Sequence, residues 1–216
     1  MMPQEPHVET LAQIRDNKVV DLPSSRPLRL EQAISAFDSG DNSNDLYQEF
    51  KSLASAGFSE ANYYLGCMLE DGTNTQARDL TKALALYEKA AGDIGYLEAY
   101  LGVARLLSQG TGEIGNYERA REIYENILRY REHPVACFML GRLYQHGHGG
   151  VKDLAGAEAL YKCAIAKENV FGIVNLSLLR AEQGRLFESA WLRLKAAFMA
   201  YRIARVNKHD ARLRGG

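Results

Sequence analysis

Hydrophobic residues recur at steps of three and four positions over most of the chain from Leu28 onward, which predicts a succession of amphipathic helices. One such segment, 61–72, places Ala, Leu, Gly and Leu at steps of four, one and three, so these four residues share one helical face. Clusters of Gly, Asn and Asp separate the helical segments. Residues 1–27 have no clear period, and we interpret them as an extended or disordered arm.

The helical pattern returns at a constant period. Segment 136–147 closely repeats segment 61–72, and a looser copy lies between them at 99–110. The glycines that end these copies are 38 and then 37 residues apart, and a further 37 residues lead to a degenerate fourth copy. These glycines are Gly72, Gly110, Gly147 and Gly184. Such a period is typical of proteins built from stacked structural repeats.

A second motif, Ala-x-x-x-Tyr, recurs with the same period as the first. It occurs at 83–87, 120–124 and 157–161, and a short polar residue precedes each copy by four positions. These residues, Asp79, Asn116 and Asp153, are predicted N-caps, because such side chains accept a hydrogen bond from a free backbone N–H. Each repeat is therefore predicted to be a helix hairpin. Because a single hairpin cannot bury both of its faces, successive hairpins are expected to stack on one another. The predicted class is all-α.

The combined pattern, A-x-x-x-L-G-x-x-Y-x-x-G, a loop, and D-x-x-x-A-x-x-x-Y-x-K-A-A, resembles the Sel1-like repeat, a relative of the tetratricopeptide repeat. The loop at 147–153 and the segment 87–91 carry much of the resemblance, which covers roughly residues 44–200. It implies a right-handed α-solenoid of stacked antiparallel helix hairpins. The motifs are specific for the fold and say little about the partner.

The predicted organisation has a flexible arm at 1–27, a repeat solenoid at 28–206 and a basic flexible tail at 207–216. Repeats are expected near 61–98, 99–135 and 136–169, followed by a degenerate one at 170–206. Residues 28–38 are expected to supply the first helix of an additional hairpin. The last helix carries large apolar residues every three or four positions, and we predict that they close the hydrophobic core as a cap. They are Phe187, Trp191, Leu194, Phe198 and Tyr201.

The resemblance also implies that a partner binds the concave surface lined by the first helix of each hairpin. Candidate exposed positions there are Tyr63, Glu70, Arg105, Phe138, Arg142, Gln145 and Asn175. Arg105 and Arg142 are equivalent positions one repeat apart, and with Tyr63 and Phe138 they could grip an acidic or C-terminal peptide segment. The alternative is that these residues are solvated or make contacts within the repeats.

Charge and composition exclude few classes of partner or function. The chain has 216 residues and a net charge of −1, which does not argue for nucleic acid or membrane as a partner. It has no apolar run typical of a secretory signal or a membrane helix, so a cytoplasmic location is expected. Residues 185–216 carry a charge of +6, which would suit an anionic surface, an acidic protein or head-to-tail self-association into a homo-oligomer.

Candidate chemistry is sparse. The three cysteines show no C-x-x-C spacing and are predicted to be buried free thiols, with a Cys137–Cys163 bridge left open because the two lie on adjacent predicted helices. His146 and His148 are predicted to be exposed turn residues without a metal. No phosphate loop, nucleophile elbow or H-E-x-x-H pair occurs, so we expect neither an enzyme nor a cofactor.

Two functions remain from the sequence. The first is a protein–protein interaction scaffold or adaptor, in bacterial signalling or in envelope or exopolysaccharide assembly, as the resemblance implies. The second is a regulatory subunit whose basic C-terminal end contacts an anionic surface or a membrane-associated complex.

Overall fold

The computed structural model describes residues 26–73, 77–109 and 115–206, and these residues form ten α-helices. The helices are α1 Leu28–Asp38, α2 Asn44–Ser55, α3 Glu60–Asp71, α4 Leu80–Ile94, α5 Leu97–Ser108, α6 Tyr117–Tyr130, α7 Pro134–His146, α8 Leu154–Ala166, α9 Val170–Glu182 and α10 Leu186–Val206. Residues 1–25 of the predicted arm, the glycine at 110 and the predicted tail at 207–216 lie outside the described residues.

Contacts divide the described residues into two compact units, one up to Leu106 and the other from Leu107 onward. In the first unit α1 packs on α2, α2 on α3 and α3 on α4. In the second unit each helix from α6 to α10 packs on the next, and α7 also contacts α9. Within each unit, consecutive helices therefore stack as hairpins, and the predicted all-α fold class is confirmed.

The predicted N-caps are confirmed. Each cap side chain accepts a hydrogen bond from the backbone N–H three residues later, at 2.8–3.0 Å. The pairs are Asp79 with Lys82, Asn116 with Arg119 and Asp153 with Gly156. Because the first N–H groups of a helix have no partner within the helix, these caps fix the start of the second helix in three repeats.

Glycine and tyrosine set the spacing inside two hairpins. A Cβ atom added to Gly66 on α3 would lie 2.6 Å from the ring of Tyr87 on α4. A Cβ atom on Gly141 of α7 would lie equally close to the ring of Tyr161 on α8. Both tyrosines are completely buried. The Leu-Gly step of the repeat therefore makes room for the tyrosine of the following helix.

The hairpin predicted at the front of the chain is present as α1 and α2. Its core joins that of α3 through three aromatic rings. Phe50 stacks on Tyr64 with ring centroids 5.0 Å apart, and Phe37 meets Tyr64 edge-on at 5.4 Å.

The prediction that α10 closes the core with its large apolar residues is wrong. Phe187, Trp191, Leu194, Phe198 and Tyr201 are 61–95% exposed. The helix instead buries its opposite face, formed by Ser189, Leu192, Ala196 and Ile203, and packs on α9. The helix carries two apolar stripes, and the one with smaller residues allows the closer approach to α9.

The expectation of three free thiols is also wrong. Cys137 on α7 and Cys163 on α8 form a disulfide with Cα atoms 6.2 Å apart, and only Cys67 is free. The adjacent helices of one hairpin hold the two residues at bonding distance, as the alternative interpretation of the sequence allowed.

Candidate functional site

In the first unit, the candidate residues Glu70 and Arg105 bind each other. The Arg105 guanidinium donates to both carboxylate oxygens of Glu70, with Nη2 and Oε2 2.6 Å apart. Tyr87 Oη donates to Glu70 Oε2 at 2.8 Å. Glu70 lies on α3 and Arg105 on α5, so this pair links one repeat to the next. Two parallel hydrogen bonds hold the guanidinium and the carboxylate in one orientation, in addition to the attraction between their charges.

Burial and this ion pair control ionisation in the cluster. Burial lowers the pKa of Arg105, but the hydrogen bond and charge of Glu70 outweigh it, so the pKa is raised above its usual value. Burial raises the pKa of the Cys67 thiol to about 11. Since the thiolate is the reactive form of cysteine, Cys67 is a weak nucleophile at neutral pH.

Tyr63 is half-buried in a group of aromatic side chains. Its ring centroid lies 5.1 Å from that of Tyr96, 5.2 Å from Tyr64 and 5.6 Å from Tyr87. Burial raises its pKa well above the usual value. The exposed part of Tyr63 is thus the edge of a packed aromatic cluster in the first unit.

In the second unit, Gln145 occupies the position of Glu70 and also links two repeats. Tyr161 Oη donates to Gln145 Oε1 at 2.6 Å. Gln145 Nε2 donates to Glu182 Oε1 at 2.7 Å, from α7 to the end of α9. The tyrosine therefore meets an acceptor at the same position in both repeats, although the acceptor is a carboxylate in one and an amide in the other.

Phe138 and Asn175 serve packing in the same unit. Phe138 is 1% exposed, and its ring stacks on Phe171 with centroids 5.7 Å apart. Asn175 is 9% exposed, and its Nδ2 donates to the backbone carbonyl of Phe171 at 2.7 Å.

Arg142 is the candidate residue that faces solvent. Its guanidinium contacts the sulfur of Met139 at 3.9 Å and has no carboxylate partner among the residues that the structure describes. The repeat pattern explains the difference from Arg105. Arg105 pairs with Glu70 of the preceding repeat. The residue equivalent to Glu70 in the repeat before Arg142 is the serine at 108, which has no charge to pair with Arg142.

The expected exposure is therefore wrong for four candidate positions, Glu70, Phe138, Gln145 and Asn175, which are all buried. Tyr63 and Arg105 are of intermediate exposure, and Arg142 is exposed. The repeat period located the first-helix positions correctly, but it could not say which of them are covered by the following hairpin. The structure brings Glu70 and Arg105 together in the first unit.

Sequence reasoning missed a groove of about 440 Å³ between α6, α7 and α8. Leu128, Leu140 and Leu160 form part of its lining. At its side, Tyr144 donates a hydrogen bond to Glu125 at 3.0 Å, and the Arg121 guanidinium lies 4.2 Å above the Tyr144 ring. These residues have separate roles in the repeat pattern, so no motif indicated the groove.

The histidine turn follows α7. The ring of His148 stacks on Tyr117 with centroids 4.2 Å apart, and the ring of His146 lies 5.5 Å from that of His148. Over residues 26–73, 77–109 and 115–206, no three His, Cys, Asp or Glu side chains are grouped to hold a metal ion. In the same part of the chain, no helix combines the length and apolar character needed to cross a membrane.

Comparison with known proteins gives concordant matches. The model of the Sel1 repeat matches residues 59–92, 97–126 and 134–169. The chain is 30% identical over 117 residues to chitin synthase regulatory factor 1 of Schizosaccharomyces pombe, which is 54% of the chain and 25% of that protein. The chain therefore spans a quarter of the length of this relative.

Two crystal structures share the fold. A Sel1 repeat protein of Oxalobacter formigenes superposes with a TM-score of 0.62 at 22% identity, covering 78% of this chain and 71% of that one. A protective antigen of uropathogenic Escherichia coli with an SLR fold gives a TM-score of 0.64 at 20% identity, covering 89% of this chain and 41% of that one. At these identities the likeness concerns the fold alone.

Proposed function

Because the chain belongs to the Sel1 repeat family, whose repeats generally mediate protein–protein interaction, we propose that it is a non-catalytic adaptor that binds an acidic segment of a protein partner. A fold shared with other proteins does not define a partner, so the proposal depends on the site. The observation that carries it is the exposed guanidinium of Arg142 on the first helix of its hairpin.

Arg142 has the properties of a recognition residue. An exposed guanidinium presents a planar fork of donors that fits a carboxylate in two parallel hydrogen bonds. Its scaffold is well packed, because α7 is joined to α8 by the Tyr161–Gln145 hydrogen bond and by the close contact of Gly141 with the Tyr161 ring. A backbone that is already ordered does not have to be ordered on binding, which lowers the entropic cost of the contact.

The remaining candidate positions have a supporting role in this proposal. Glu70 and Arg105 hold adjacent repeats of the first unit in register, and Tyr63 contributes the edge of its aromatic cluster. In the second unit, Phe138, Gln145 and Asn175 hold the helices beneath the surface on which Arg142 lies.

The test is affinity capture of partners by the full chain, followed by quantitative mass spectrometry. The experiment compares three baits: the wild type, the variant Arg142→Glu and the matched control Lys152→Glu. Lys152 is an exposed lysine in the loop before α8. We expect at least one stoichiometric partner that the wild type and the control retain and that Arg142→Glu loses by about tenfold or more, as for a charge-assisted pair. Equal capture by all three baits would contradict the proposal.

The pathway is part of the same proposal. We place the adaptor in bacterial signalling or in envelope or exopolysaccharide assembly. The relative in fission yeast is named as a regulatory factor of chitin synthase, which supports a role beside a polysaccharide synthase. Identification of the captured partner by mass spectrometry tests this assignment directly.

The basic C-terminal end supports a second candidate, a regulatory subunit that contacts an anionic surface. Helix α10 exposes Arg193, Lys195, Arg202 and Arg205. Contacts of this kind weaken with salt, because exposed charges are screened. Sedimentation with vesicles of phosphatidylglycerol and phosphatidylcholine, lost at high salt, would favour this candidate over the adaptor.

A cytoplasmic location is also proposed, and the disulfide provides its test. Cytosolic thiols are kept reduced, whereas disulfides persist in oxidising compartments. Cells are quenched in acid, and alkylated cysteines are then counted in the isolated protein. Three alkylated cysteines per chain would support the cytoplasm, and one, at Cys67, would contradict it.

A further inference from the structure

Helix α10 presents an uncovered apolar stripe to solvent. Five large side chains lie at alternating steps of four and three residues along its outer face, and each is more than 60% exposed. They are Phe187, Trp191, Leu194, Phe198 and Tyr201. This spacing averages 3.5 residues, which is the spacing of the contact seam between two paired helices. The face turned toward α9 is the opposite one, so no described helix covers the stripe.

The residues on the two edges of the stripe also repeat every seven positions. One edge carries an exposed alanine at every seventh position, namely Ala190, Ala197 and Ala204. The other edge carries charges at every seventh position, namely Glu188, Lys195 and Arg202. Small residues along one edge allow a second helix to approach closely, and charges along the other edge select its direction.

We propose that this stripe binds the α10 helix of a second copy of the chain, with the two helices antiparallel and related by a two-fold axis near Ala196. Antiparallel packing at this register puts Trp191 against Tyr201 of the second copy and Leu194 against Phe198 of the second copy. Because the axis is two-fold, each contact occurs twice. The proposal goes beyond the binding of a partner by the repeats and does not depend on it.

The flanking residues agree with this register. Ala197 meets its own counterpart near the axis, and Ala190 meets Ala204 of the second copy. On the charged edge, Glu188 lies opposite Arg202 of the second copy. In each chain alone, Glu188 pairs with Arg185 at 2.5 Å and with the buried Arg180 at 3.4 Å, and Arg202 pairs with Glu168 at 3.8 Å. The Arg185 and Glu168 pairs are exposed and can rearrange at little cost, and Arg180 keeps its hydrogen bonds to Glu158.

One like-charge contact opposes the pairing. Lys195 meets its counterpart on the charged edge, but its ammonium already lies 5.5 Å from the centroid of the Trp191 ring, away from the axis. In a parallel pair, each charge would face an alanine and Glu188 would meet no cation. The antiparallel direction is therefore the one that the charges favour.

The area of the stripe, if fully covered, reaches the lower end of the range for a biological interface. Aromatic side chains bury about 150–250 Å² each when fully covered, so four of them at the observed exposure, with Leu194, give roughly 500–700 Å² per copy. Two copies then bury on the order of 1,000–1,400 Å², which meets the size of about 1,000 Å² expected for a biological interface.

The first test measures the mass of the full chain by sedimentation velocity over a range of micromolar concentrations. We expect a species of twice 24.1 kDa. The double variant Leu194→Glu/Phe198→Glu should be monomeric with unchanged helix content by circular dichroism, because both side chains are exposed. Val151→Glu, the same kind of change at an 84% exposed loop residue, should remain dimeric. A monomeric wild type, or a dimer that survives the double variant, overturns the proposal.

The second test determines the direction of the helices by oxidative crosslinking of single added cysteines, with the unaltered chain as control for the native Cys67. Ala197→Cys should crosslink to itself, whereas Ala190→Cys should crosslink only when mixed with Ala204→Cys. In a parallel pair the alanine edge of each copy faces the charged edge of the other, so a dimer that forms none of these crosslinks overturns the register. A wild type that stays monomeric and sediments with phosphatidylglycerol vesicles shows that the stripe binds a membrane instead and also overturns the proposal.

Discussion

Glycine at the Leu-Gly step determines how closely the two helices of a repeat approach. Gly66 and Gly141 each leave the space of one methyl group, and the ring of Tyr87 or Tyr161 fills it. Both rings are fully buried, so they have no room to move aside. Close-packed interiors respond to a single added carbon because the surrounding atoms relax only in part.

We predict that Gly141→Ala lowers the free energy of unfolding by about 1–3 kcal/mol, the usual cost of an overpacked core. Alanine favours a helix more than glycine does, so any loss arises from the clash with Tyr161. Urea denaturation measures the effect. In a double-mutant cycle, the penalty should shrink when Tyr161 is replaced by Leu. An equal penalty in both backgrounds would mean that the ring does not set the spacing.

Glu158 makes folding sensitive to acid at one residue. It accepts hydrogen bonds from Arg180 at 2.8 and 2.5 Å, and Lys162 lies 2.8 Å away. The hydrogen bonds from Arg180 and then Lys162 lower the pKa of Glu158 to about 2. A carboxyl with a lower pKa in the folded than in the unfolded chain stabilises the fold above its unfolded value, and this contribution is lost as the pH falls.

We therefore predict that Glu158→Gln costs about 1–2 kcal/mol of stability at pH 7, and that this cost fades between roughly pH 5 and pH 2. The measurement is the unfolding free energy of both proteins by urea denaturation across that range. A difference that is independent of pH would show that the Arg180 ion pair does not act through the charge of Glu158.

At the scale of the helices, a few polar side chains connect one repeat to the next. Glu70 connects α3 to α5 through Arg105, and Gln145 connects α7 to α9 through Glu182. In both cases the tyrosine of the intervening helix donates to the same side chain. A charged group that is largely buried and loses its partner leaves a costly unpaired charge.

We predict that the two equivalent arginines respond differently to the same substitution. Arg105→Gln should lower the free energy of unfolding by about 2–3 kcal/mol, because it leaves the buried Glu70 without its cation. Arg142→Gln should change it by less than about 0.5 kcal/mol, as for other exposed sites. Denaturation of both variants and the wild type measures the difference. Similar losses in both would mean that Arg142 also has a structural role.

The arginines also show how far sequence could define the candidate site. The 37-residue period identified Arg105 and Arg142 as equivalent, and this equivalence is correct. Their environments differ because of a third residue, Glu70 in one repeat and serine at 108 in the next. Predicting that difference requires knowing which side chain of the preceding hairpin faces each arginine, and a single-helix pattern contains no such information.

At the scale of the whole molecule, the sequence defined the class of fold well. The repeat period and the caps at Asp79, Asn116 and Asp153 gave the helices and their order, because local hydrogen bonds and helical faces repeat with the chain. The orientation of α10 was predicted wrongly. Its two apolar stripes are both compatible with a helical period, and only packing on α9 decides which one is buried.

The disulfide adds a constraint on the whole chain that the periodicity does not contain. Cys137 and Cys163 are 26 residues apart, so the bridge closes a loop that includes the turn between α7 and α8. Closing a loop of that length lowers the entropy of the unfolded chain and stabilises the folded one by about 3 kcal/mol.

We predict that dithiothreitol lowers the free energy of unfolding by about this amount, measured by urea denaturation. The double variant Cys137→Ala/Cys163→Ala should be insensitive to the reductant, whereas Cys67→Ser should keep the full response. If the wild type is equally stable with and without reductant, the bridge does not contribute to the stability of the fold.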